Sequence, residues 1–141
     1  MKRLIRVVCL LLVMATLAAV PAAAQTPTPR ASNYLAGYRA YCTLDSSTSL
    51  TVSFFVLGAG KMDEIGVSLV KVQYSSDQVN WTTARTFRKA VDANMVDYDK
   101  AAHGGMLTCT VPSGQYYRAY VEFYAAKDNG FGERYYYTEI I

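Results

Sequence analysis

From Tyr38 to the end of the chain, apolar residues recur at alternate positions, and this period of two limits the fold more than any other feature. Tyr38, Ala40, Cys42 and Leu44 alternate with Arg39, Tyr41 and Thr43. Leu50, Val52, Phe54 and Val56 form a second inward set, which Gly58-Ala59-Gly60 is expected to end. Val70, Val72 and Tyr74 form a third, and the stretch from Trp81 to Arg88 is β-rich. Leu107, Cys109 and Val111 form another, followed by Tyr117, Ala119, Val121, Phe123 and Ala125 and then the stretch Arg134 to Ile141. Asp45-Ser46-Ser47, Ser75-Ser76-Asp77-Gln78, Pro112-Ser113-Gly114 and Asp128-Asn129-Gly130 supply the turns. No segment keeps a helical spacing for three turns. The pattern predicts an all-β domain, a single antiparallel sandwich of about seven strands over residues 34–141. Lys89 to Gly105 breaks the rhythm and fits a short helix, an irregular edge strand or a loop.

The N-terminus reads as an address. Lys2, Arg3 and Arg6 precede an uncharged run from Val7 to Val20, Pro21 breaks it, and Ala22-Ala23-Ala24 offers small residues for cleavage. Residues 1–24 therefore read as a secretory signal peptide, and the apolar run is short for a membrane span of about 20 residues. Residues 25–33, rich in Pro, Thr and Ser, read as a flexible linker. The expected localisation is secreted and extracellular, with no membrane span after cleavage. Removing the signal also removes the formal charge of +3, since 11 basic side chains then face 11 acidic ones. A balanced domain lacks the electrostatic footprint of a nucleic-acid binder. Secretion permits a disulfide between Cys42 and Cys109, the two cysteines left after Cys9 departs; the alternative is two buried thiols.

The last third of the chain resembles the end of a fibronectin type III domain, an immunoglobulin-like sandwich. Pro112, Gly114, Tyr117, Ala119, Val121 and Asn129-Gly130 carry the likeness. It implies that Tyr117 is a corner tyrosine bonded back to the preceding loop. It also implies that Ser49 to Phe54 is the second strand, with Phe54 at a position usually held by Trp. The chain as a whole is similar to a family of small secreted Gram-positive bacterial proteins of unknown function. The stretches are Met62-Asp-Glu-Ile-Gly66, Val72 to Asp77 with Asn80-Trp81, and Gly114 to Ala119. That likeness implies a sandwich and transfers no catalytic residue. In a fibronectin-like order the second strand separates Cys42 from Cys109 by about 9.5 Å. A disulfide tolerates Cα separations of about 7 Å. Either the bridge is absent or the first strand is displaced.

Few chemistries fit the residues present. His103 is the single histidine, and beside Gly104-Gly105 it reads as a solvated loop residue. No phosphate loop, zinc motif or Cys-x-x-Cys occurs, and no cofactor or metal is expected. Asp92, Asp97 and Asp99, like Asp128-Asn129, fall short of the roughly six oxygens calcium needs. Asn80-Trp81-Thr82 is formally a glycosylation acceptor, and its other reading is a turn before a buried structural Trp81. The twelve tyrosines are more informative. Tyr116, Arg118, Tyr120, Glu122 and Tyr124 should point outward from one strand, beside Tyr135, Tyr136 and Tyr137 on the next. Such a face can stack on sugar rings or anchor a protein, although tyrosines also stabilise sheets by cross-strand pairing. The expectation is a non-enzymatic extracellular binding module for a glycan or surface protein, using Tyr116, Arg118, Tyr120, Tyr124, Tyr135 and Tyr137. The alternatives are a small carboxylate-based hydrolase and a structural or assembly protein of the cell envelope.

Overall fold

A computed structural model describes residues 33–141. The expected signal peptide and all of the linker except Asn33 lie outside them. Six strands carry the described chain: β1 (Leu35–Ser46), β2 (Ser49–Ser75), β3 (Thr82–Arg88), β4 (Val96–Thr110), β5 (Tyr116–Lys127) and β6 (Gly130–Tyr137). Strands make up 74% of it, no helix is present among the described residues, and the strands form one curled antiparallel sheet.

The sheet is organised around β2. Its first part pairs with β1 on one side, from Leu44↔Leu50 to Leu35↔Gly58, and with β4 on the other, from Ser49↔Thr110 to Leu57↔Ala102. Its second part pairs with β5, from Glu64↔Ala126 to Ser75↔Tyr116, and with β3, from Leu69↔Arg88 to Tyr74↔Thr82. β6 pairs with the far side of β5.

One expectation is corrected here. Gly58-Ala59-Gly60 does not end a strand; it bends one. Leu57 pairs with Ala102 and Met62 with Lys100, so four residues of β2 bulge against one of β4. Gly60 takes φ +140° at that corner, a conformation that suits glycine. Beyond the bulge, Glu64, Ile65 and Gly66 are paired on both sides, to β4 and to β5, so hydrogen bonding carries through the bend. Two expected strands thus merge, and six strands stand where about seven were expected. Of the three readings of Lys89–Gly105, the irregular edge strand holds for most of the segment: only 89–95 is a turn region, and the rest is the first part of β4, which pairs with β2 alone. Gly66 makes this possible. A Cβ there would collide with the Met95 carbonyl oxygen, which accepts the Val67 amide at 2.8 Å.

Curling brings inward sets together. Leu50, Val52, Phe54 and Val56 from the first part of β2 join Val70 and Val72 from its second part, with Val121, Phe123 and Ala125 of β5, in one core cluster. Tyr38 of β1 lies 4.8 Å from Phe123 of β5 between ring centroids. Beyond β6 the tail stays on β5: the Thr138 amide donates to Ala119, and Ile141 exchanges two backbone bonds with Tyr117. The Thr138 hydroxyl accepts the Ala119 amide at 2.9 Å and lies 3.4 Å from Cys42 Sγ on β1.

Tyr117 is 2% exposed, its hydroxyl donates to the Pro112 carbonyl, and it accepts the Gln115 amide at 3.3 Å. Both loop groups depend on that oxygen. Tyr117→Phe should therefore cost about 1–3 kcal/mol. Urea denaturation should show it as a lower midpoint with an unchanged slope.

Candidate functional site

Pleating sends alternate residues of β5 to the outside of the curled sheet, and register brings neighbours from β2 and β6 beside them. Tyr120 pairs with Lys71 and with Tyr137; Arg118 pairs with Gln73; Glu122 pairs with Tyr135. Tyr120 is the hub. Its ring lies 5.1 Å from Tyr137 and 6.2 Å from Tyr135, nearly parallel to the latter at 27°. Lys71 Nζ stands 5.7 Å from its centroid.

Arg118 extends the row. Its guanidinium sits 4.1 Å from the Trp81 ring and 4.6 Å from the Tyr137 ring, between two aromatic faces, while Nε donates to Gln73 Oε1 at 2.9 Å. This corrects the buried Trp81 expected from the sequence. Trp81 is half-buried and stands in this row, outside the core. The preceding turn places it. Asp77 accepts the Val79 and Asn80 amides and the Asn80 side chain, Ser75 Oγ donates to Asp77 Oδ1, and Trp81 Nε1 donates to the Gln78 carbonyl at 3.1 Å. The Asn80 amide foremost, with those other donors, holds the Asp77 carboxyl well below the usual carboxylate range.

Further along the face lies a second group. Tyr124 and Phe131 rings stack at 6.0 Å, and Lys89 Nζ lies 3.7 Å from the Tyr124 centroid while paired to Glu64 at 3.1 Å. Between the groups, Glu122 accepts the Tyr120 hydroxyl at 2.9 Å and Ser68 Oγ at 3.4 Å.

The expected residues separate accordingly. Arg118, Tyr120, Tyr135 and Tyr137 come together with Trp81. Tyr124 belongs to the neighbouring group. Tyr116 stands at the start of β5 opposite Ser75, with no ring contact to the row among the described residues. Tyr136, opposite the inward Val121, lies on the other side of β6. Lys71, Gln73, Lys89 and Phe131 were missed. Lys71 and Gln73 were visible as the polar partners of Val70, Val72 and Tyr74, but only register places them beside Arg118 and Tyr120.

Two cations of this face, Lys71 and Arg118, have no carboxylate partner among the described residues. The acids elsewhere are dispersed. Asp99 pairs with Lys61, Asp92 with Arg85, and Asp97 lies 3.9 Å from His103 Nδ1. His103 Nε2 is 3.0 Å from the Asn94 carbonyl and the ring packs 5.6 Å from Phe54, so the histidine is not solvated as expected. A cleft of about 360 Å³ between β3 and β4 is lined by Ala84, Arg85, Phe87, Thr108, Cys109 and Thr110, none of them acidic.

Cys109 and Cys42 are both free thiols, so the permitted disulfide is not formed. β2 runs between them, with Val52 opposite Cys42 and Leu50 opposite Cys109. Burial pushes both thiols up in pKa. No family model, curated protein or solved structure matches the chain.

Alkylation at pH 7 should modify half-buried Cys109 slowly and Cys42 only on unfolding, as whole-protein mass spectrometry would record. Desolvation, then the hydrogen bond to Glu122, pushes the Tyr120 phenol up to about 12 from its ordinary 10. Between those values an unfolded chain releases this proton and the folded one keeps it, so stability should fall as pH rises from about 10 to 12. Ultraviolet titration should show a late phenol that Tyr120→Phe removes and Glu122→Gln moves down.

Proposed function

We propose that this chain is a secreted, non-enzymatic binding module that holds a glycan or a surface protein against the Trp81–Arg118–Tyr137–Tyr120–Tyr135 row. One observation carries the reading. The row presents two exposed rings, Tyr135 and Tyr137, and two half-buried ones, Trp81 and Tyr120, interleaved with two cations, Lys71 and Arg118, that have no acidic partner among the described residues. Tyr and Trp offer large contact area at low entropic cost, and their polar tips keep such a face compatible with water. A sugar ring can stack on Tyr135 or Tyr137, and ligand oxygens can accept from Arg118 and Lys71. Because the cross-strand contacts already set the rings, little ordering remains for the ligand to drive.

The scaffold of this reading is a fibronectin-like sandwich. In it the two parts of β2 act as two successive strands. Layers β1–β2–β4 and β3–β2–β5–β6 then follow the order of that fold, and Tyr117 serves as its corner tyrosine. Secretion rests on the pattern of residues 1–24. A carboxylate hydrolase is the weaker reading, because the β3–β4 cleft is lined by no acid.

Glycan arrays and pull-downs from surface extracts test the assignment. Tyr135 and Tyr137 are 66% and 48% exposed on a strand that pairs only with β5, so replacing both with Ser should leave the circular-dichroism spectrum unchanged. Each aromatic contact contributes about 0.5–1.5 kcal/mol, so affinity should drop about tenfold or more. Unchanged signals in both assays would remove this face from consideration.

A further inference from the structure

The other outer face, formed by β1, the first part of β2 and β4, differs in chemistry. Its outward residues are Arg39, Tyr41, Thr43 and Asp45 on β1, Ser49, Thr51, Ser53, Phe55 and Leu57 on β2, and Gly104, Met106, Thr108 and Thr110 on β4. Tyr41, Phe55, Leu57 and Met106 are exposed large apolar groups, with Met106 at 71%. Arg39 and Asp45 are the charges among these residues. Arg39 lies over the Phe55 ring at 5.5 Å, and Asp45 accepts the Thr51 hydroxyl at 2.7 Å, which fixes both on this face. Neither has an oppositely charged partner among the described residues.

The pattern along the strands is polar in the vectorial sense. Large groups and the positive charge occupy one half; small hydroxyl residues and the negative charge occupy the other. Cys42, Val52 and Leu107 form a middle row; Arg39 lies three residues before Cys42, and Asp45 three after it, in the bulge between Leu44 and Ser46. Consider a two-fold axis lying in the face along that row. It sets each strand antiparallel over its own copy. Arg39 then meets the second copy's Asp45, Tyr41 its Thr43, Phe55 its Ser49, and Met106 its Thr108. Each of these large groups faces a small one, and the charges face their opposites, while Leu57 has no counterpart within the strands. An isologous interface requires this self-complementarity, and face-to-face sheets about 10 Å apart leave room for it.

From this match we infer that the β1–β2–β4 face is the docking surface for a second copy of this chain. It goes beyond the ligand-binding reading and does not depend on it. Three strands about 4.8 Å apart and about 30 Å long give a footprint of roughly 400 Å² per copy. That is about 800 Å² in total, below the roughly 1,200–2,000 Å² of standard interfaces, so the dimer is weak and reversible, with a Kd on the order of 100 µM. The tyrosine faces of the pair remain free, pointing in opposite directions.

Analytical ultracentrifugation of the purified chain from about 10 µM to about 1 mM tests the inference across this affinity range. The expected result is a mass rising reversibly toward that of the dimer. Arg39→Glu and Asp45→Arg should each weaken association about tenfold or more, and the two together should restore it to within about threefold. Met106→Arg, at the most exposed large apolar group of this face, should abolish dimerisation while leaving the circular-dichroism spectrum intact. Tyr135→Ser should leave the dimer unchanged. A monomer throughout the range would overturn the proposal. So would a dimer indifferent to the single reversals or to Met106→Arg, or one that the combined reversal fails to restore.

Discussion

Hydrogen bonding along both edges of β2 is the constraint on which the rest of the structure depends. From Ser49 to Leu57 the strand is held between β1 and β4, and from Leu69 to Tyr74 between β5 and β3. Edge strands are ordinarily where a sheet is weakest, and β2 has no free edge over either stretch. The bulge at Gly58–Lys61 lets the strand turn without abandoning its partners, because Glu64 to Gly66 are already paired on both sides. Curvature of this one strand brings Tyr38 against Phe123 and creates the core.

The same register that builds the core composes the outer surface. Val70, Val72 and Val121 are fully buried, and their chain neighbours Lys71, Gln73 and Tyr120 stand on the opposite side. Arg118 between Trp81 and Tyr137 is held by elements that meet only because β5 pairs with β2 and β6. The aromatic row is therefore a product of long-range pairing, not of any local motif. Its cations lie over ring faces, an arrangement that stabilises both while leaving guanidinium and ammonium hydrogens for other acceptors.

Alternation made the strand content legible, and the inward set from Tyr117 to Ala125 is buried throughout. Tyr117 was legible because a turn of Pro and Gly precedes it at a fixed offset. Continuity of β2 was not, since Gly58-Ala59-Gly60 carries the residues of a terminator and only the flanking partners decide between ending and bending. The first part of β4 was obscured for a related reason. Val96 to Lys100 lies along the bend, where Asp97, Tyr98 and Asp99 face solvent to varying degrees and alternation fades. Trp81 reads as core by size and hydropathy; a cation from another strand gives its ring an outside position instead.

One consequence follows from the length of β2. Because β1, β3, β4 and β5 all pair with that strand, unfolding of β2 breaks all four ladders at once. Amide protons at the two far ends of the domain should then share one opening event, and a protease that finds the chain closed at one end finds it closed at the other. Such all-or-none resilience needs no bridge between Cys42 and Cys109, the two free thiols among the described residues.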